Sequence, residues 1–178
     1  MRFRYHCSRS CAIVSPPRAQ LRVLGRGLDA EHRATASAGM SAQQRIDYIL
    51  ALDDEYLRGG VVLSEWTAFM VREADNAFVA ACDLACVLTV SAAIETALRS
   101  ETGVARLVEG IETSAMPAAL RAELHDLRRF RNRWVHIQNP ADDSLPLDDP
   151  MGLAREVHDW AVTAVRLLRR VIYLDQCM

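Results

Sequence analysis

The sequence contains no lysine; all 21 of its basic residues are arginine. That points first to codon usage in a GC-rich genome and only second to function. Strong charge of either sign is also missing, since the formal net charge is −2. Nothing global therefore points to nucleic acid, and any affinity for phosphate must come from local clustering. Aromatic residues make up 6% of the chain and apolar residues 51%. Such a composition suits a helical core packed from Ala, Leu and Val. No apolar run is long enough for a secretory leader. The best candidate for a membrane span, 77–94, is interrupted by Asp83 and rich in small residues, so it reads as a buried helix of a bundle. No segment alternates with a period of two, which argues against a sheet, and there is no internal repeat.

Cysteine is scarce and odd in number: Cys7, Cys11, Cys82, Cys86 and Cys177. Without a secretory signal, this implies reduced thiols and a cytoplasmic location. Cys82 and Cys86 stand four apart in an apolar stretch, so both are expected as small core residues on one helix face. A zinc site would need two further ligands close by, and none is evident. Asp142, Asp143, Asp148 and Asp149 fall in a Pro-containing stretch whose spacing fits no cation-binding loop. No metal and no cofactor are expected.

What is present divides the chain in two. Residues 1–39 carry seven arginines (2, 4, 9, 18, 22, 26 and 33) against Asp29 and Glu31, with Pro16-Pro17, Gly25 and Gly27. This basic stretch lacks helical periodicity and is expected to be disordered. It has three open readings: a start assigned too early, with initiation at Met40; a basic arm that touches RNA phosphates; or an organelle transit peptide. Residues 40–178 read as one helical domain. Ile46, Ile49, Leu50, Leu52 and Leu57 recur at helical spacing over 41–58, ahead of Gly59-Gly60. Ser64 can cap a second segment, with Asp75 or Asn76 as the place where it kinks or restarts before reaching position 100 and Gly103. A short helix is expected over 104–111. Ser114 and Pro117 open another over 117–137, and Asp149-Pro150 a last one over 150–174. The predicted fold is an all-α, up-and-down bundle of four to five helices. Trp66, Trp134 and Trp160 are expected in its core, and His158 at its surface or between helices.

The stretch 127–139, LRRFRNRWVHIQN, holds Arg128, Arg129, Arg131 and Arg133 within six positions, followed by His136. On a helical wheel of roughly 100° per residue, Leu120, Leu124, Leu127 and Trp134 share an apolar face with Val135. His125, Arg129, Asn132 and His136 form a second stripe roughly 60° wide, which supplies hydrogen-bond donors that can meet a phosphate. The bland alternative is a solvated face ending in a histidine that answers the helix dipole.

The sequence Arg131-Asn132-x-x-x-His136 resembles the R-x(4–6)-H motif of the HEPN superfamily, in which a polar residue, often Asn, follows the Arg. The order of elements is similar as well. A long apolar helix carrying Ala92-Ala93-Ile94-Glu95-Thr96-Ala97-Leu98, with an acidic residue, precedes the motif, and a loop and one more helix follow it. The resemblance covers roughly 41–175. It departs from the toxin branch that ends in His-x-Tyr, because Ile137 and Gln138 follow His136 here.

The resemblance implies a metal-independent endoribonuclease of toxin or defence type. His136 would be the general acid/base, since histidine titrates near neutrality. Arg131 would clamp phosphate with its planar fork. Asn132 would orient the histidine or a phosphate oxygen, and Glu95 would hold Arg131 or the histidine. Arg128, Arg133 and His125 would contact substrate. Arg129 also satisfies the spacing and remains a second candidate for the clamp. Residues five apart lie about 140° apart on a helix, so Arg131 and His136 of one chain diverge. Either the helix loosens near its end, or two chains pair through it; the resemblance implies the second, a homodimer in which both copies of the motif line one cleft. It also implies an RNA substrate and an antitoxin or nucleotidyltransferase-type partner, with no membrane role. The rival readings are a catalytically inactive HEPN dimerisation module that binds RNA, nucleotide or a protein, and a helical interaction domain without any nucleic-acid role.

Overall fold

The computed structural model describes residues 39–135 and 149–176. All regular structure among them is helical, in the order α1 (Ala42–Tyr56), α2 (Glu65–Val79), α3 (Asp83–Thr102), α4 (Leu107–Thr113), α5 (Ala118–Val135) and α6 (Pro150–Ile172). The expected all-α bundle is therefore the observed one, with five longer helices and one short one.

Local chemistry sets most boundaries. The Ser41 hydroxyl accepts from the Gln44 N–H while the Gln44 side chain accepts from the Ser41 N–H, a capping box that starts α1. The Ser64 hydroxyl accepts from the Thr67 N–H and starts α2. Asp149 accepts from the Gly152 N–H, and Pro150 occupies the first turn of α6, where its missing N–H costs nothing. Gly103 ends α3 in the left-handed region at φ 73°, with its N–H donating to the Arg99 carbonyl.

Packing is organised around α3, which lies along α2 and α6 and also touches α4 and α5. The helices α2 and α5 each pack on both α3 and α6 and share no substantial packing with one another. Ion pairs fix the directions. Arg133 near the end of α5 meets Glu156 early in α6, and Glu123 early in α5 meets Arg170 late in α6, so the two run antiparallel. Ile46, Ile49, Phe78, Val87, Val90, Ile94 and Leu168 meet in the core, each 1% exposed or less.

Several expectations give way here. The segment 64–100 is two helices, and the break lies at 80–82 rather than at Asp75 or Asn76. Asp75 sits mid-helix because its carboxylate is satisfied across the core by Arg169 at 2.6 and 2.7 Å, so it has no need of a helix end. At the actual break the Cys82 N–H donates to the Ala77 carbonyl and the Ala81 N–H to that of Phe78, with Ala81 at φ 57°. This is the Schellman arrangement, with an alanine where glycine usually stands. The break also moves Cys82 off the apolar face, so it is exposed while Cys86 is fully buried. Trp66 is not in the core: it is 63% exposed and stacks on Phe69 at 5.5 Å. Val135 is exposed at the end of α5, and Phe130 takes its place inward, stacked on Trp160 at 4.8 Å.

Candidate phosphate-binding site on helix α5

Helix α5 is amphipathic because Leu120, Leu124, Leu127 and Phe130 recur at helical spacing and are buried. Its remaining surface is crowded with basic groups, most of which are already compensated. The His125 Nε2 lies 2.8 Å from a carboxylate oxygen of Glu112 on α4, and the Arg121 Nε lies 3.9 Å from the other. Arg129 pairs with Asp126 one turn earlier. Arg133 donates to Glu156 at 2.6 Å and lies over the Phe130 ring at 4.8 Å.

Arg128 and Arg131 differ from these. Neither has a carboxylate partner among the described residues. Arg131 donates from Nη1 to the Asn132 side-chain oxygen at 3.2 Å, a neutral acceptor. The Nε of Arg128 is buried with no hydrogen-bond partner among the described residues. Residues three apart on a helix lie about one turn and about 60° apart. The two uncompensated guanidinium groups therefore rise from neighbouring positions on the last turns of α5. Two planar forks so placed can share one phosphate, or hold two successive ones, with charge-assisted hydrogen bonds. Of the two arginines with motif spacing, Arg129 is paired with Asp126, whereas Arg131 has no carboxylate partner among the described residues.

The other expected site residues are placed less neatly. Glu95 pairs with Arg99 at 2.8 Å, an i,i+4 contact on its own helix, and not with Arg131. His125 is held by Glu112. Asn132 is beside Arg131, as the spacing requires. His136 lies outside the described residues, one position beyond the end of α5, and so do the aspartates at 142, 143 and 148. The expected disorder of 1–39 likewise concerns residues that, except Gly39, are outside those described.

The sequence reading missed a polar cluster at the end of the bundle where α5 stops. Arg45 of α1, only 2% exposed, donates to both carboxylate oxygens of Asp83 on α3 and to the Phe78 carbonyl. The Nδ1 of His158 on α6 lies 3.1 Å from Asp83 and 2.9 Å from the Arg45 Nη2. That nitrogen either donates to the carboxylate or accepts from the guanidinium, according to the tautomer. The advance signs were an arginine beside the buried stripe of Ile46, Ile49 and Leu52 and the expectation that His158 could lie between helices. A cavity of about 340 Å³ adjoins the cluster, lined by Asp83, Leu84, Trp134, Leu153, Ala154 and Val157.

No helix among the described residues is long and apolar enough to cross a membrane. Among the same residues, no group of three or more His, Cys, Asp or Glu is placed to hold a metal ion. Comparison with family models, with curated proteins and with solved structures finds no match.

Proposed function

We propose that this chain is a metal-independent endoribonuclease of the HEPN type, with Arg131 as the phosphate clamp and His136 as the general acid/base. The observation that carries the reading is the pair Arg128 and Arg131. On a helix whose other basic groups answer nearby acids, these two keep their charge available, and one of them heads the Arg131-Asn132-x-x-x-His136 sequence. A protein with no net positive charge gains phosphate affinity from such local groups.

In the proposed reaction the 2′-oxygen of the RNA attacks the adjacent phosphorus. The P–O2′ bond forms as the P–O5′ bond breaks, which leaves a 2′,3′-cyclic phosphate and a free 5′-hydroxyl. His136 takes or gives the proton, and Arg131, supported by Arg128, neutralises the non-bridging oxygens as charge builds on them. Asn132, which accepts a hydrogen bond from Arg131, holds that guanidinium in one orientation. Because Arg131 and His136 diverge by about 140° on an ideal helix, the proposed active unit is a homodimer with both motif segments at one cleft.

The test is incubation of the full chain with a mixed RNA pool in EDTA, comparing the unaltered protein with His136→Ala while RNA binding is measured in parallel. Expected is cleavage by the first and binding without cleavage by the second. Binding without cleavage by both would favour a catalytically inactive RNA-binding module of the same fold.

A further inference from the structure

We propose that the outer face of α2 is a self-association surface on which a second copy of the chain docks, α2 against α2, antiparallel and related by a two-fold axis. Trp66 and Phe69 stack on one another and stand 63% and 40% exposed, with Val62 beside the start of the helix at 59%. Isolated apolar residues on a surface are ordinary, but two exposed aromatics stacked on one helix face, with an exposed valine three residues before that helix, mark an interaction site.

The flanking charges identify the occupant. Glu65 and Arg72 are seven residues apart, two helical turns, so they lie on the same side of α2 and bracket the aromatic pair. Glu65 has no ion-pair partner among the described residues. Arg72 lies over the Phe69 ring at 5.3 Å and makes only a solvent-exposed 3.6 Å contact with Glu73. A face with an acid at one end and a base at the other is complementary to its own copy when that copy is reversed. Antiparallel pairing about a two-fold axis near Phe69 sets Glu65 opposite Arg72 of the partner subunit, and the same contact recurs by symmetry. Between the two ion pairs the aromatic side chains cover each other. A nucleic-acid strand fits less well, because Glu65 and Glu73 would face its phosphates.

A contact that rests on one helix face is expected to be weak, with a Kd on the order of micromolar or above. It is also separate from the helix that carries the proposed motif, since α2 and α5 share no substantial packing with one another. The inference therefore stands or falls independently of catalysis.

The test is sedimentation of the full chain over a range of concentrations, with iodide quenching of Trp66 taken as the difference from Trp66→Phe. Expected is a mass that rises with concentration, a rise that Trp66→Asp weakens at least tenfold, and shielding of Trp66 as the mass rises. E65R and R72E should each weaken it as well, because like charges then meet. An equimolar mixture of E65R and R72E should associate again, since one copy then offers two arginines and the other two glutamates. An unchanged concentration dependence in Trp66→Asp, or no gain on mixing the charge variants, would overturn the proposal. A monomeric protein with Trp66 already shielded would also overturn it, by showing that the chain covers this face itself.

Discussion

Arg169 of α6 and Asp75 of α2 meet inside the bundle through two hydrogen bonds of 2.6 and 2.7 Å, with the arginine side chain 2% and the aspartate 9% exposed. Asp53 of α1 accepts from the same guanidinium at 3.2 Å, and the Tyr173 hydroxyl donates to Asp53 at 2.8 Å. Three helices are thus joined through one arginine. Asp75→Ala leaves the buried Arg169 guanidinium with Asp53 as its one remaining carboxylate among the described residues, so it should destabilise the fold by up to about 3–5 kcal/mol, the cost of breaking a buried pair outright. Replacing both residues by apolar ones of similar size should cost much less than the two single changes added together. Denaturant titration of the single and double variants checks this. Additive losses would show that the pair is not coupled.

The same network makes stability depend on alkaline pH. Burial, and then the negative charge of Asp53, push the Tyr173 phenol above its ordinary value. A group raised in the folded state stabilises it fully below the unfolded pKa of about 10 and loses that contribution as pH climbs through the folded value. Stability should therefore fall above about pH 10, and the fall should be shallower in Tyr173→Phe. Equal slopes in the two proteins would show that Tyr173 does not titrate with unfolding.

Two left-handed residues should respond in opposite directions to exchange of alanine and glycine. Ala81 at φ 57° carries a side chain that this conformation disfavours, so Ala81→Gly should stabilise the protein by up to about 1 kcal/mol. Gly103 at φ 73° has nothing within 4 Å of where a Cβ would stand, so any loss in Gly103→Ala is backbone strain, about 1–2 kcal/mol. Thermal melts of both variants give the signs directly. A stabilising Gly103→Ala would contradict the reading.

The arginines of α5 should separate into two groups. Arg131→Ala and Arg128→Ala should weaken RNA binding and reduce its salt dependence, because each removes a charge available to phosphate. Arg131→Lys should restore only part, since lysine keeps the charge but lacks the planar fork. Arg129→Ala and Arg133→Ala should change binding less, as Asp126 and Glu156 already occupy those side chains. Filter binding at several salt concentrations measures all five variants. Equal losses across the helix would point to a diffuse basic surface.

The helices were legible in the sequence wherever periodicity and caps agreed. Ser41, Ser64, Gly103 and Asp149-Pro150 all lie at or beside real ends. The break at 80–82 was hidden because an alanine occupies the left-handed position, leaving no glycine to mark it. Asp75 misled for the opposite reason: a polar residue in an apolar run resembles a boundary until its partner Arg169, 94 residues away, is known. Trp66 shows that a large apolar residue at helical spacing need not face inward. At the site, residue types and spacing indicated which arginines to inspect, but only the positions of Asp126, Glu156 and Glu112 distinguish occupied cations from available ones. The Arg45, Asp83 and His158 cluster draws on three helices, and such long-range contacts leave no local pattern.

The most direct test of 2′-hydroxyl attack uses an RNA cleaved by the full chain in EDTA, resynthesised with a single 2′-deoxy nucleotide at the scissile position. Expected is cleavage of the all-ribose strand to a 2′,3′-cyclic phosphate, no cut at the deoxy position, and a rate roughly 10²–10⁴ lower with His136→Ala, the usual worth of a positioned acid/base group. Loss of cleavage in EDTA, or cutting of the deoxy strand at an unchanged rate, would contradict attack by the substrate's own hydroxyl.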